Sequence, residues 1–251
     1  SMAIDVMKKG KHVFVEKPLA MNETEAKLMI ETAKKNNVKL MVGHLLQFHP
    51  IFKIIRKKIK NKEIGELNYI YSNRLSFGKL RSEEDVIWSF APHDISMILS
   101  LTDSEPEQVS IKSASIIQKD ISDISSIHME FKSGLKSRIS VSWLHPYKEH
   151  KLIVIGNKAM IEFDDTKPWN KKLALYPYNV DFSEGSINLK KHEIKFIEVS
   201  EEEPLNNECQ HFIDVVNKDI NPITDGAEGL RVLKVLSAAS ESLNKKETVK
   251  M

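Results

Sequence analysis

Residues 12 to 44 read as strand, capped helix, strand, and this order constrains the fold more than any other feature of the chain. HVFVE (12–16) and KLMVGH (39–44) are short apolar runs of the length of buried strands. Between them, NETEAKLMIETAKKNN (22–37) has apolar residues at helical spacing behind a capping box, Asn22 to Glu25. Two strands joined through a helix pair in parallel, as in a layered α/β unit. Glu16-Lys17-Pro18 then falls at the carboxyl end of the first strand, where open α/β sheets bind ligands. A plain surface turn after the strand is the alternative.

Glycine is informative by its pattern. Nine glycines contain no G-x-G-x-x-G, and Gly226-x-x-Gly229 comes nearest, inside a late helical segment with no strand before it. The turn that cradles a dinucleotide's phosphates is therefore not within these 251 residues. Residues 2–9 read as a helix stopped by Gly10, so the strand–helix–strand unit is less than half of a dinucleotide-binding domain.

From about residue 51 the pattern changes. A helix runs to Gly65, a long alternating strand covers 67–78, and a helix is expected over 91–101 with Pro92 in its first turn. Strands are expected at 107–117, 125–132, 135–143, 150–156, 159–164, 172–176 and 192–199, and helices at 205–217 and 225–244. Strands bracketed by helices predict an α+β domain with a large, mostly antiparallel open sheet. The expected division is 1–48, the tail end of a Rossmann α/β domain, and 49–251, a C-terminal substrate and dimerisation domain. ISSIHMEF, SRISVSWL and KLIVIG mix large apolar with polar residues, so both sheet faces are expected to be partly apolar and one to join subunits.

Composition excludes several classes. A net charge of +2 gives no reason for an acidic polymer as partner, and the basic run KIIRKKIKNK (53–62) lacks a nucleic-acid reading motif. No apolar run reaches the length of a membrane span. The single cysteine, Cys209, rules out an internal disulfide framework and fits a cytoplasmic protein. His44 and His49, and His145 and His150, are spaced poorly for a metal, and Cys209 with His211 shows no base–orienter pattern.

Two stretches carry candidate chemistry. PHDISMIL places His93 in a helix, as a general acid/base or as a structural residue. NRLSFGKLRSEEDVIW (73–88) brings Arg74, Lys79, Arg81 and Trp88 together, as partners for a diphosphate and a base or as ordinary surface charge.

Taken in order, GKHVFVEKPLA, LMVGHLLQFHP, GELNYIYSNR, WSFAPHDISMIL and SWLHPYKEHKLIVIG resemble the glucose–fructose oxidoreductase, inositol dehydrogenase and rhizopine-catabolism (Gfo/Idh/MocA) family. GHLLQFHP, WSFAPHDIS and SWLHPYKE resemble its branch acting on UDP-N-acetylamino sugars as 3-dehydrogenases. The resemblance implies NAD or NADP as cofactor, with Glu16, Lys17, Pro18 and His44 at its nicotinamide end. It implies His93 as base, Lys17 beside the developing alkoxide, and Arg74, Lys79, Arg81 and Trp88 around the UDP-sugar. Many relatives carry an Asp four residues before the histidine, and here that residue is Ser89. Because the glycine turn is missing, the chain is expected to be an N-terminally truncated member that binds cofactor weakly or not at all. A non-catalytic substrate-binding or dimerising remnant, or a dehydrogenase of another sugar or polyol, is the alternative.

Overall fold

The computed structural model describes residues 2–78, 80–183 and 185–251. Helix α1 (Met2–Lys8) precedes β1 (Val13–Glu16), α2 (Glu23–Lys35) and β2 (Leu40–Gly43). The two strands pair in parallel, from Val13 opposite Leu40 to Glu16 opposite Gly43. Asn22 caps α2 by accepting the Glu25 N–H at 2.9 Å. β2 is fully buried, as its apolar run predicts. β1 is only half-buried, and among the described residues it is hydrogen-bonded along one edge alone.

The remaining strands form one sheet: β3 (Leu67–Phe77), β4 (Gln108–Ala114), β5 (Ile124–Glu130), β6 (Lys136–Ser142), β7 (Leu144–Gly156), β8 (Ala159–Asp164), β9 (Leu173–Ser183), β10 (Ser186–Lys191), β11 (Lys195–Phe196) and β12 (Val249–Lys250). The order is β10-β9-β8-β7-β3-β6-β5-β4-β12, with β11 also on β9. Only β3 and β6 pair in parallel; the other pairings are antiparallel. This is the large, mostly antiparallel sheet the sequence predicts, flanked by α3 (Pro50–Lys60), α4 (Val86–Thr102) and α6 (Gly226–Lys245), while α5 (Pro204–Lys218) packs on the 45–48 turn.

Three strand boundaries differ from expectation. β7 begins at Leu144, six residues before the expected strand, because it continues along β3 as far as the Phe77–Leu144 pair. β9 and β10 form a long ribbon where a short strand was expected. Every β10 residue is exposed, so no apolar alternation marks it in the sequence. Between 192 and 199 only Lys195–Phe196 is extended in a ladder.

The inner face of the sheet, with Ile127, Met129, Ile139, Val141, Leu152 and Val154, is buried in the main core with α4 and α6. On the outer face Tyr69 and Tyr71 stand opposite Ile155 and Ile153. The neighbouring strands show Ser126, His128, Arg138 and Ser140 on that side, so its apolar character is confined to the β3–β7–β8 half. α6 ties the two sheets together, touching α2 and β2 as well as α4 and β4. Its two glycines make this possible. A Cβ on Gly226 would lie 2.8 Å from Ile30, and one on Gly229 2.8 Å from Val42. That close approach, rather than phosphate binding, accounts for the Gly226–Gly229 pair.

Candidate active site

Helix α4 positions the histidine. Asp85 is its N-cap, accepting the Ile87 and Trp88 N–H groups at 3.0 Å each. The helix thus starts five residues earlier than expected, and His93 lies in its interior, not its first turn. Pro92 is inside the helix, where it has no N–H to donate to the Trp88 carbonyl. The Lys17 ammonium reaches the preceding turn and donates to the Ser89 carbonyl at 2.8 Å. Lys17 follows directly on β1, and the Lys17–Pro18 peptide is cis. The strand end and the proline-interrupted helix therefore meet one turn before His93.

His93 is mostly enclosed, and its Nδ1 is buried without a hydrogen-bond partner. Burial first, then the charges of Arg74 and Lys17, hold its pKa well below the usual histidine value, with His44 and His150 adding to the effect. His44 follows β2 and is 2 % exposed, with neither ring nitrogen partnered. Burial and Lys17 lower it to about 4. Lys17 itself is lowered chiefly by burial, an effect that the carboxylates of Glu84 and Glu16 oppose. The strand ends therefore hold two neutral imidazoles beside two cations.

Arg74 is committed elsewhere than at a diphosphate. Its Nε donates to Asp94 Oδ2 at 2.8 Å and its Nη2 to Asp94 Oδ1 at 3.2 Å, while Ser72 Oγ donates to Asp94 Oδ1 at 2.6 Å. Asp94 is fully buried, and Arg74 Nη1 lies 3.5 Å from His150 Nδ1. His150 is lowered to about 4, mainly by burial and by Arg74. Arg81 forms an ion pair with Glu84 at 2.6 Å on the surface. Trp88 walls a cleft of about 340 Å³ together with Pro18 and Met21, but the cleft also carries Glu83, Glu84, Asp85 and Asp120. Four carboxylates make it a poor seat for a diphosphate. Lys79 lies outside the described residues.

The structure thus gathers Glu16, Lys17, Pro18, His44, His93 and Arg74 at one place, with Trp88 beside them, while Arg81 is paired with Glu84 at the edge, near enough to Lys17 for its charge to act on it. Asp94, His150 and Glu208 belong to the same neighbourhood, and the sequence alone marks none of them as a residue of this site. Asp94 adjoins His93 in sequence, and its helical position facing the alternating strand 67–78 was the available signal. Among the described residues no cluster of His, Cys, Asp or Glu has the geometry to hold a metal ion. No helix among them is long and apolar enough to cross a membrane.

Two stretches of the chain match family models. Residues 1–44 match the NAD-binding Rossmann fold of the oxidoreductase family, and residues 52–162 match the GFO/IDH/MocA C-terminal domain. The chain belongs to the GFO/IDH/MocA oxidoreductase family. It is 24% identical over 251 residues to inositol 2-dehydrogenase of Rhizobium meliloti, covering 96% of this chain and 73% of that protein. It is 24% identical over 230 residues to UDP-N-acetylglucosamine 3-dehydrogenase of Acidithiobacillus ferrooxidans, covering 90% of this chain and 69% of that one. A solved structure of an enzyme of that name from the same organism shares the fold, with a TM-score of 0.80 at 22% identity, over 96% of this chain and 75% of the other. The WlbA dehydrogenase from Bordetella pertussis, solved with NADH and UDP-GlcNAcA, has a TM-score of 0.76 at 20% identity, over 99% of this chain and 74% of that one. The family is one of NAD(P)-binding oxidoreductases, and this chain is an oxidoreductase of that family.

Proposed function

We propose that the Lys17–His93 site oxidises a secondary hydroxyl of a sugar, with His93 as the base. The observation that carries this reading is the Lys17 hydrogen bond to the Ser89 carbonyl, which sets an ammonium one helical turn from a neutral, unpartnered imidazole. A bound NAD or NADP would accept the hydride. Glu16, Lys17, Pro18 and His44 fit the nicotinamide end of such a cofactor, since His44 offers two buried ring nitrogens with no partner in the protein. The sequence has no glycine turn for the pyrophosphate, so we expect these 251 residues to hold the cofactor loosely.

His93 needs no prior deprotonation, because burial and nearby cations keep it neutral at neutral pH. It can take the hydroxyl proton while Lys17 stabilises the alkoxide oxygen. The imidazolium so formed stands beside Lys17 and Arg74, and their repulsion favours passing the proton onward. Ser89 brings no carboxylate to this step; its carbonyl fixes Lys17 instead.

The finer reading is the 3-hydroxyl of a UDP-N-acetylamino sugar, supported by the GHLLQFHP, WSFAPHDIS and SWLHPYKE segments and by the similarity to UDP-N-acetylglucosamine 3-dehydrogenase. The acid-lined cleft at Trp88 favours a second reading, a neutral sugar or polyol, in line with the similarity to inositol 2-dehydrogenase. Thermal protection separates the two. UDP-N-acetylglucosamine raising the melting temperature more than inositol supports the first, and the reverse order replaces it by the second.

We read residues 1–48 as the end of the cofactor-binding unit and 49–251 as the substrate and subunit-contact unit. The Tyr69, Tyr71, Ile153, Ile155 and Met160 face of the sheet is the proposed contact between copies. The lone thiol, Cys209, fits a cytoplasmic enzyme.

A further inference from the structure

Helix α5 docks across the start of the strand ends. Asn207 Nδ2 donates to the Phe48 carbonyl at 3.3 Å, Phe212 packs on Phe14 of β1 at 5.5 Å, and His211 packs on Phe48 at 5.2 Å. Only two of its residues are fully buried, Glu208 and Val215, seven apart on one stripe. Helical periodicity calls for an apolar residue at the first of these positions. A glutamate stands there instead, 2 % exposed, with its Oε1 enclosed and without a hydrogen-bond partner. A buried carboxyl left unpaired is costly, and native proteins rarely keep one without a use.

Its charged neighbour is Glu16, the last residue of β1. The Glu16 Oε2 lies 3.2 Å from where a Cβ on Gly43 would sit, so this carboxylate crosses the end of β2, one residue before His44. Burial first and Glu16 second raise Glu208 to about 7. The turn over which α5 lies, Leu45–Phe48, contributes no charge. On α5 itself His211 is engaged at the Ile223 N–H. Two carboxyl groups thus bound the site on one side, while Lys17 and Arg74 bring positive charge beside His93.

We propose that Glu208 and Glu16 form a carboxyl pair that recognises a positively charged aromatic ring at the strand ends, the ring of an oxidised pyridine nucleotide. This rests on the dehydrogenase reading. Hydride transfer neutralises such a ring as an alkoxide loses its charge, so the two charged sides of the site match the reactants. Protonation keeps the enclosed Glu208 carboxyl uncharged beside the exposed Glu16 side chain. A cation brings out the proton, which leaves to solvent, so cation binding strengthens as the pH rises through neutrality.

The full chain can be tested with two small probes of nearly equal shape, 1-methylnicotinamide, a cation, and nicotinamide, which is neutral. Calorimetry near pH 8 should show the cation bound roughly tenfold more tightly, with the preference shrinking near pH 5.5, as expected for one added opposite charge. Glu208→Gln keeps the side-chain shape and should abolish both the preference and its pH dependence. Its melting curve reports whether it is folded, and Glu208→Leu serves as a second variant without the carboxyl. Carbon-13 NMR of the Glu208 carboxyl should show a midpoint of about 7. A midpoint at the ordinary glutamate value, binding of neither probe, or equal binding of both probes by the wild type overturns the proposal. Sugar turnover without cation preference would overturn the pair alone. Cation preference with no turnover of any sugar would leave the pair standing and remove the dehydrogenase reading.

Discussion

The Lys17 ammonium donates to the Ser89 carbonyl at 2.8 Å, and this one bond joins a strand end to the helix that carries His93. Residues 72 apart in sequence are held together by it, and His93 follows one helical turn after Ser89. Replacing Lys17 by Ala should lower kcat by roughly 10²–10³, the loss expected when a group stabilising a developing oxyanion is removed. Far-ultraviolet circular dichroism should be unchanged. Full activity in Lys17→Ala would place the alkoxide elsewhere.

Asp94 anchors Arg74 and Ser72 in a fully buried position. Removing the carboxylate leaves the Arg74 guanidinium without its partner, and such losses cost about 3–5 kcal/mol. Urea unfolding of Asp94→Ala should show a loss of that order, while Arg74→Met with Asp94→Leu should recover most of it. Asp94→Ala as stable as wild type would mean that the pair is not holding β3 to α4.

Much of the fold was legible because its signals are local. The 12–44 unit is marked by apolar runs and the Asn22 cap, and the central strands alternate because one face meets α4 and α6. β10 left no trace, since it is exposed on both sides and has no face to mark. The start of α4 is hidden in the sequence because Pro92 resembles a first-turn proline, while the cap, Asp85, lies in a charged stretch that reads as loop. For the site, Lys17 and His93 were visible as residue types at telling positions. The commitment of Arg74 to Asp94 was not, because a salt bridge between a strand and a helix depends on packing that no short window contains.

Acid should destabilise the protein through its buried histidines. His44, His49 and His150 fall to about 4 in the fold, largely through burial, against an unfolded value of 6.5. A depressed pKa contributes stability that is present above the unfolded value and lost as the pH falls through the folded one. The loss should therefore develop between pH 6.5 and 4, at up to about 3 kcal/mol for each fully buried ring. Glu208 acts with the opposite sign: raised to about 7, it favours the fold below its unfolded pKa and loses that contribution as the pH climbs to 7. Melting temperatures of wild type and His44→Gln across this range check the first effect. Parallel pH profiles for the two would contradict it.

The outer sheet face predicts self-association. The tilted rings of Tyr69 and Tyr71 meet at 4.5 Å beside Ile153 and Ile155, forming an apolar area that soluble monomers seldom leave open. Light scattering at micromolar concentration should give a mass above the 28.7 kDa of one chain. Tyr71→Glu with Ile153→Glu should return it to one chain. A wild-type monomer would show that this face has another role.

The most direct measurement follows reduced nicotinamide as it forms from NAD or NADP at millimolar concentration, with UDP-N-acetylglucosamine and with inositol, in wild type and in His93→Ala. The account predicts reduced cofactor with at least one of these substrates in the wild type, and a rate lower by roughly 10²–10⁴ without the imidazole. Equal rates in the two proteins, or no reduced cofactor with either substrate, would contradict it.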